Sequence, residues 1–405
     1  MDVLISGASV AGPVTAYWLQ RHGHRVTVVE KAPSPRRTGG HAVDLFAPAM
    51  DIVERMGLLD QVLAHRTGTE RITMLRTGAR RPITVDAERL LGAISRRHVE
   101  IMRDDLSELL YDATAADVEY VFDDRITAIS ADGDVTFDRG APRRFDIVIG
   151  ADGLHSGVRG LVFGPESDFA TWIGGYIAVA TVPNHLGLHD EMRAMLGPRR
   201  MVGLYGAGGK TEARAFFLFR PPAELSYHHR DVARQKQLLR AEFGSMDGEV
   251  PRLLAATDAA DAFYFDAITQ LRMDSWTSGR VALVGDAGYC PGPAVGGSTS
   301  LAVVGAYVLA GELAAAGGDP AVAFPAYEAA MADYVRSSRT FALRTARSIV
   351  PGSRAAAWAL VTGARVVAAL PNSLVRGVVR RAGGSFGMHD TVAVREYPEL
   401  TLPAT

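Results

Sequence analysis

The sequence predicts an α/β protein: a Rossmann-like nucleotide-binding sheet, a second β-sheet inserted into it, and helices at the C-terminal end. Three observations lead there. The chain opens on a strand that runs into a glycine cradle, Met1-Asp2-Val3-Leu4-Ile5-Ser6-Gly7-Ala8-Ser9-Val10-Ala11-Gly12, and the next strand ends on an acid, Val26-Thr27-Val28-Val29-Glu30. Two later apolar runs, Phe145 to Gly150 and Arg280 to Gly285, read as strands buried on both faces. Between them, from about 168 to 270, the character changes to aromatic and β-branched segments that suit a separate sheet.

In the cradle, Gly7 permits the tight turn and small Ser9 lets the backbone approach a pyrophosphate. Val10 and Ala11 lead into the helix, Gly12 lets that helix pack on the strand, and its free N–H groups face the phosphates. Glu30, eighteen residues past Gly12, can accept hydrogen bonds from an adenosine ribose. Its charge disfavours a 2′-phosphate, so FAD or NAD suits the site better than NADP. Ser9 stands where a GxGxxG motif has its central glycine, and a ligand-free strand-to-helix turn is the alternative reading.

The loop Pro33 to Gly40 is rich in turn formers and cations, and a helical pattern follows at Met50, Ile52, Val53, Met56, Leu58 and Leu59. Arg71 to Leu75 and Arg81 to Val85 form a β-ribbon turned around Gly78, and an amphipathic helix is expected over Glu100 to Tyr111. Strands are expected at Val118 to Phe122, Ile126 to Ser130 and Asp134 to Phe137, then at Trp172 to Ala180, Met201 to Tyr205 and Ala213 to Phe219. The segment Gly206 to Thr211 resembles a phosphate-binding loop, but Leu204 occupies the first glycine position, so it reads as a hairpin turn. A long helix is expected from about Thr299 to Ala316. The expected division is a discontinuous nucleotide domain over 1–69, 98–165 and 271–330, a substrate sheet over 70–97 and 166–270, and a helical segment over 331–405.

The chain has 405 residues, enough for two or three folding units, and its 48% hydrophobic and 22% charged composition is ordinary for a globular protein. With 43 basic and 45 acidic residues the net charge is −2, which offers no electrostatic reason to bind nucleic acid or an anionic membrane; a small-molecule partner is expected. Cys290 is the sole cysteine, so no internal disulfide forms, and the first strand starts at residue 2 with no signal-peptide pattern; a cytoplasmic location is expected. Ala355 to Leu370 is broken by Arg365 and closed by Pro371, short of the roughly 20 apolar residues of a membrane span, and reads as a packed helix. Cys290 has neither a partner thiol nor a His at motif spacing, and no metal site is expected.

Two further motifs stand at strand ends: Gly150-Ala151-Asp152-Gly153-Leu154-His155-Ser156-Gly157-Val158-Arg159, and Gly285-Asp286-Ala287-Gly288-Tyr289-Cys290-Pro291-Gly292-Pro293. With the cradle, these make the chain resemble the single-component FAD monooxygenases of the para-hydroxybenzoate hydroxylase fold, over residues 1 to about 330, and most of all the natural-product tailoring branch. The resemblance implies FAD as cofactor. Glu30 would bind its adenosine ribose with Lys31 beside it, and Arg103 would reach the diphosphate. Asp152 and Arg159 would support the pyrophosphate region, and Asp286 would bind the ribityl chain. Pro293, Gly296 and Gly297 would pass next to the isoalloxazine ring, with the helix near Thr299 pointing its positive end there. Each residue also has a plainer reading: Asp152 or Ser156 as a helix cap, Arg103 as a solvated helix residue.

Tyr289 stands where the family commonly has His, Ser298 where it has Gly, and Ser300 where it often has Asn. The side chain of Ser298, beside the ring, is expected to alter the ring's position or mobility. The implied reaction takes electrons from NAD(P)H and one oxygen atom from O2 to hydroxylate an aromatic or polyketide-type natural-product intermediate, a small hydrophobic or aromatic partner. The alternative is a non-redox cyclisation with FAD as a structural group. No side chain is assigned as acid or base, and Trp172, Tyr176, Tyr205 and Phe217 suit either a substrate pocket or a sheet core.

Overall fold

The computed structural model describes residues 1–35, 40–87, 97–206, 211–293, 297–369 and 394–397. Its first unit is the βαβ expected from the cradle: β1 (Asp2–Ser6), α1 (Ala11–Arg21) and β2 (Arg25–Glu30). β1 pairs parallel with β2 on one side and with β11 (Ile147–Gly150) on the other. β18 (Val281–Leu283) extends the sheet beyond β11, and β7 (Glu119–Phe122) beyond β2, giving the order β17-β18-β11-β1-β2-β7, with β17 at Thr277–Ser278. Such central parallel strands are covered on both faces, which is why Val3, Leu4, Ile5, Ile147, Val148 and Ile149 are all buried. A small antiparallel sheet, β8 (Ile126–Ile129), β9 (Asp134–Phe137) and β10 (Arg143–Arg144), leads back to β11.

Two elements correct the sequence reading. Residues 42–46, between the basic loop and the helix α2 (Ala47–Arg55), form a strand, β3 (Ala42–Phe46). The expected helix over Glu100 to Tyr111 starts three residues later: His98–Met102 is β6, antiparallel to β3, and α4 runs over Arg103–Asp112. Val99 and Ile101 are buried in alternation with half-buried His98 and Glu100, a period-two pattern that the apolar positions of α4 masked. The short helix between these elements is α3 (Leu59–Ala64).

The second sheet has seven strands in the order β16-β12-β15-β14-β13-β4-β5. They are β4 (Arg71–Arg76), β5 (Ile83–Asp86), β12 (Ala170–Pro183), β13 (Glu191–Gly197), β14 (Arg200–Gly206), β15 (Glu212–Phe219) and β16 (Phe263–Leu271); β13 and β16 escaped the sequence reading. Gly206 pairs with Ala213, so β14 and β15 form a hairpin, although its turn residues 207–210 lie outside the described residues. Alternation gives the sheet two faces. Tyr176, Phe217 and Phe219 point outward and pack with Leu239, Phe243 and Leu253 of α6 (Val232–Phe243) and α7 (Val250–Ala259). Tyr205, Phe216 and Ile268 point inward and pack with Met102 and with Ala342 and Ala346.

The order of the remaining helices is α5 (Gly157–Val162), α8 (Asp286–Tyr289), α9 (Ser298–Ala315), α10 (Pro320–Ser348) and α11 (Arg354–Ala369). α9 is the one described helix long and apolar enough to cross a membrane, and 78% of it is buried inside the protein. α10 runs straight through residue 330, where a boundary was expected. The packed helix expected at Ala355 to Leu370 packs on one face only: Ala357 and Val361 are buried, whereas Trp358 is 59% and Val366 54% exposed.

Candidate cofactor and substrate site

The cradle has the shape a dinucleotide diphosphate requires. Gly7 has φ 107°, and a Cβ there would lie 2.5 Å from the Ala151 carbonyl oxygen; a Cβ on Gly12 would lie 1.9 Å from that of Gly7. α1 starts after Val10 with no side-chain cap and no acid in its first turn, so its positive end stays open to an anion at Val10 and Ala11. Glu30 clamps the two strand exits together, its oxygens accepting the N–H groups of Ala8 and Ala32 at 2.9 Å each.

Arg103 is the first residue of α4, and its Nε and Nη2 donate to Ser9 Oγ at 3.2 and 3.1 Å, with Ser107 Oγ 3.2 Å from the same oxygen. A cation 94 residues away in sequence is thereby held on the cradle loop, with Arg103 half-buried. Lys31 is exposed and borders a cleft of about 440 Å³ shared with Arg125, Arg139, His155, His229 and Arg230.

For Asp152 the plainer reading describes what the structure shows. Its oxygens accept from Ser156 Oγ and from the N–H groups of Gly157 and Val158 at 2.8 and 3.2 Å, bracing the first turn of α5, whose cap is Ser156, accepting the Arg159 N–H at 3.0 Å. Arg159, 1% exposed, donates to the carbonyls of Ala287 and Leu154 and to Glu166, tying this loop to the turn that carries Asp286.

Asp286 starts α8, and Ser298 starts α9 after Gly297, which takes a left-handed conformation. The Ser298 hydroxyl donates to Asp286 Oδ1 at 2.5 Å. Pro293 and Gly297 flank this junction; Gly296 lies outside the described residues. Ser300 is fully buried, accepting the Phe46 N–H and donating to the Asp44 carbonyl, so it fastens α9 to β3. Tyr289 turns into the core, where its hydroxyl meets that of Tyr327 at 2.9 Å.

Of the residues that join this site to the second sheet, the sequence reading named Tyr205 but missed Arg214 and Tyr264. Arg214 stands on the inward face of β15 with Phe216, its Nη2 3.5 Å from Asp104 Oδ2 and its Nε donating to the Gly40 carbonyl at 3.0 Å. Tyr205 Oη accepts the Ala42 N–H, and Tyr264 stacks on His41 with ring centroids 5.2 Å apart. Burial pushes both phenols up, so neither is a base at neutral pH. A cation inside the apolar alternation of β15 was the one signal available in the sequence.

At the sheet edge, His155 Nδ1 lies 2.9 Å from Glu166 and Nε2 3.4 Å from Asp266, with the His229 ring stacked at 4.3 Å. Burial opposes its charge, but Asp266 and Glu166 prevail and hold it up to about 9. The stability it contributes is therefore complete below the unfolded value of 6.5 and lost as pH rises through about 9. Urea unfolding should show this loss between pH 6.5 and 9.5 in the parent and a flatter profile in His155→Gln; identical profiles would refute the assignment.

The family model described as "FAD binding domain" matches residues 1–323. An uncharacterized protein of Mycobacterium tuberculosis is 46% identical over 342 residues, covering 83% of this chain and 91% of its own length. A flavin-dependent monooxygenase of Legionella longbeachae is 38% identical over 353 residues, covering 86% and 90%. Among solved structures, the tetracycline destructase Tet(55) superposes with a TM-score of 0.81 at 35% identity, covering 98% of both chains. A cradle that a Cβ would fill, an arginine held on it and this agreement over nearly the whole chain make one conclusion: the protein belongs to the FAD binding domain family, among the flavin-dependent monooxygenases.

Proposed function

We propose that the protein uses NAD(P)H and O2 to hydroxylate a small aromatic or polyketide-type intermediate of natural-product biosynthesis. The observation that carries this reading is the inward face of the second sheet. Tyr205, Phe216, Met192, Met201, Ile173 and Tyr264 form one apolar cluster with Met102, the residue immediately before the arginine that reaches the cradle. An aromatic surface is thus built against the cofactor side of the molecule, suited to an aromatic substrate. The tetracycline destructase among the neighbours supports that class.

In this reading Ser9, Arg103 and the open end of α1 hold the FAD diphosphate, Glu30 the adenosine ribose with Lys31 beside it, and Asp286 the ribityl chain. Pro293, Gly297 and the start of α9 border the ring, while Asp152 supports the site from behind by bracing the first turn of α5. When bound, FAD supplies the electron transfer and oxygen chemistry. The chain's own residues orient the substrate and exclude water through the inward sheet face. Tyr205 and Tyr264 stay protonated there and act as hydrogen-bond donors or packing groups. We place the protein in the cytoplasm, which suits its single buried thiol.

The test is anaerobic mixing of the holoenzyme with NADPH or NADH, with and without tetracycline as an aromatic probe, followed by ¹⁸O2 and mass spectrometry. The expected result is bleaching of the flavin absorbance accelerated by the probe and one ¹⁸O atom in the product. Product formed without reductant and oxygen would replace this reading with a non-redox cyclisation on structural FAD.

A further inference from the structure

Ser298, expected from the sequence beside the flavin, has a hydroxyl with a definite partner in the structure. Ser298 Oγ donates to Asp286 Oδ1 at 2.5 Å. The backbone behind Asp286 is equally constrained. Gly285 has φ 66°, and a Cβ there would stand 3.1 Å from that of Ala302 in α9 and 3.4 Å from that of Ala11 in α1. Ser298 is the first residue of α9 and does not cap its own helix, so its hydroxyl is free to join the start of α9 to the start of α8.

We propose that Ser298 is a positioning residue for Asp286, holding one carboxylate oxygen so that the other is oriented in advance for FAD. The inference rests on the reading of Asp286 as the ribityl acid. A hydroxyl donating to a carboxylate makes a charge-assisted bond stronger than a neutral one. An acid held this way is ordered on folding rather than on cofactor binding, and the cofactor then binds with less ordering cost. Serine in place of the family's common glycine is, on this view, a device that tightens flavin binding.

The experiment is titration of apoprotein with FAD, followed by flavin fluorescence, for the parent, Ser298→Ala, Ser298→Thr and Asp286→Asn, with thermal unfolding of each apoprotein alongside. Ser298→Ala should weaken FAD about tenfold, as expected for one lost charge-assisted hydrogen bond. Ser298→Thr, which keeps the hydroxyl, should stay within about threefold of the parent, and the unfolding midpoints of the two apoproteins should agree. Rescue by threonine is the readout that a space-filling role would not produce. Equal affinity in the parent, Ser298→Ala and Ser298→Thr, with Asp286→Asn strongly weakened, would overturn the role of Ser298 alone. Unchanged affinity in Asp286→Asn would overturn the ribityl assignment and this inference with it.

Discussion

Replacing Gly12 with alanine is expected to give a protein that holds no FAD and has lost about 3 kcal/mol or more of stability, the range of severe overpacking. The added Cβ would lie 1.9 Å from the carbonyl oxygen of Gly7, and the obstacle is backbone, not a flexible side-chain end. Gly7 cannot withdraw to make room. Its N–H is hydrogen-bonded to the Val29 carbonyl at 2.8 Å, its φ of 107° is already special, and Ala151 closes on it from the other side. Relief must therefore come from moving α1 away from β1, which opens the phosphate cradle and the packing of Val14 and Leu19 together. Flavin absorbance of the purified variant and its urea midpoint measure the two effects. A stoichiometrically yellow Gly12→Ala protein with the parent's midpoint would show that the cradle does not hold the diphosphate.

The second large effect concerns the buried pair that joins the second sheet to the start of α4. Arg214 and Asp104 each expose 3% of their side chains and stand 3.5 Å apart, and Arg214 also holds the Gly40 carbonyl. Asp104 Oδ1 has no hydrogen-bond partner, and Arg214 Nη1 has only an ion-pair contact, with Glu212 at 3.6 Å, so the pair is incompletely satisfied. Arg214→Met should destabilise by about 3–5 kcal/mol, because it leaves the Asp104 charge buried and uncompensated. The double variant Arg214→Met with Asp104→Leu should recover at least half of that loss, since removing both charges removes their desolvation cost. FAD affinity should fall in the single variant, because Asp104 follows Arg103 at the start of α4. A single variant as stable as the parent, or a double variant worse than the single, would refute this account.

The positions legible in the sequence share a physical property: their requirement is local. Gly7 must turn and Gly12 must be approached closely within a few residues of the strand they follow, and a glycine announces that need by itself. Buried parallel strands such as Ile147–Gly150 show as unbroken apolar runs because both faces are covered. Where two local patterns overlapped, the reading slipped: Ile101 and Met102 serve a strand, while Leu106 and Leu110 directly after them serve a helix, and together they imitate one helical period. Tyr176, Tyr205 and Phe217 illustrate a different loss. Alternation puts Tyr176 and Phe217 on one face and Tyr205 on the other, but nothing in the strand says which face meets α6 and α7 and which meets Met102 and α10.

The sequence by itself determined the nucleotide-binding βαβ unit, the two motif loops at the ends of β11 and β18, and therefore the chemistry class. Those features arise from glycine geometry and strand burial within short stretches of chain. Only the tertiary structure decided what each polar side chain does. It set Asp152 against the first N–H groups of α5, brought Arg103 onto Ser9, set Arg214 against Asp104, and aimed Ser298 at Asp286. A hydrogen bond requires two groups within about 3 Å. For residues on different elements that distance is set by how sheets and helices pack, which no local pattern encodes.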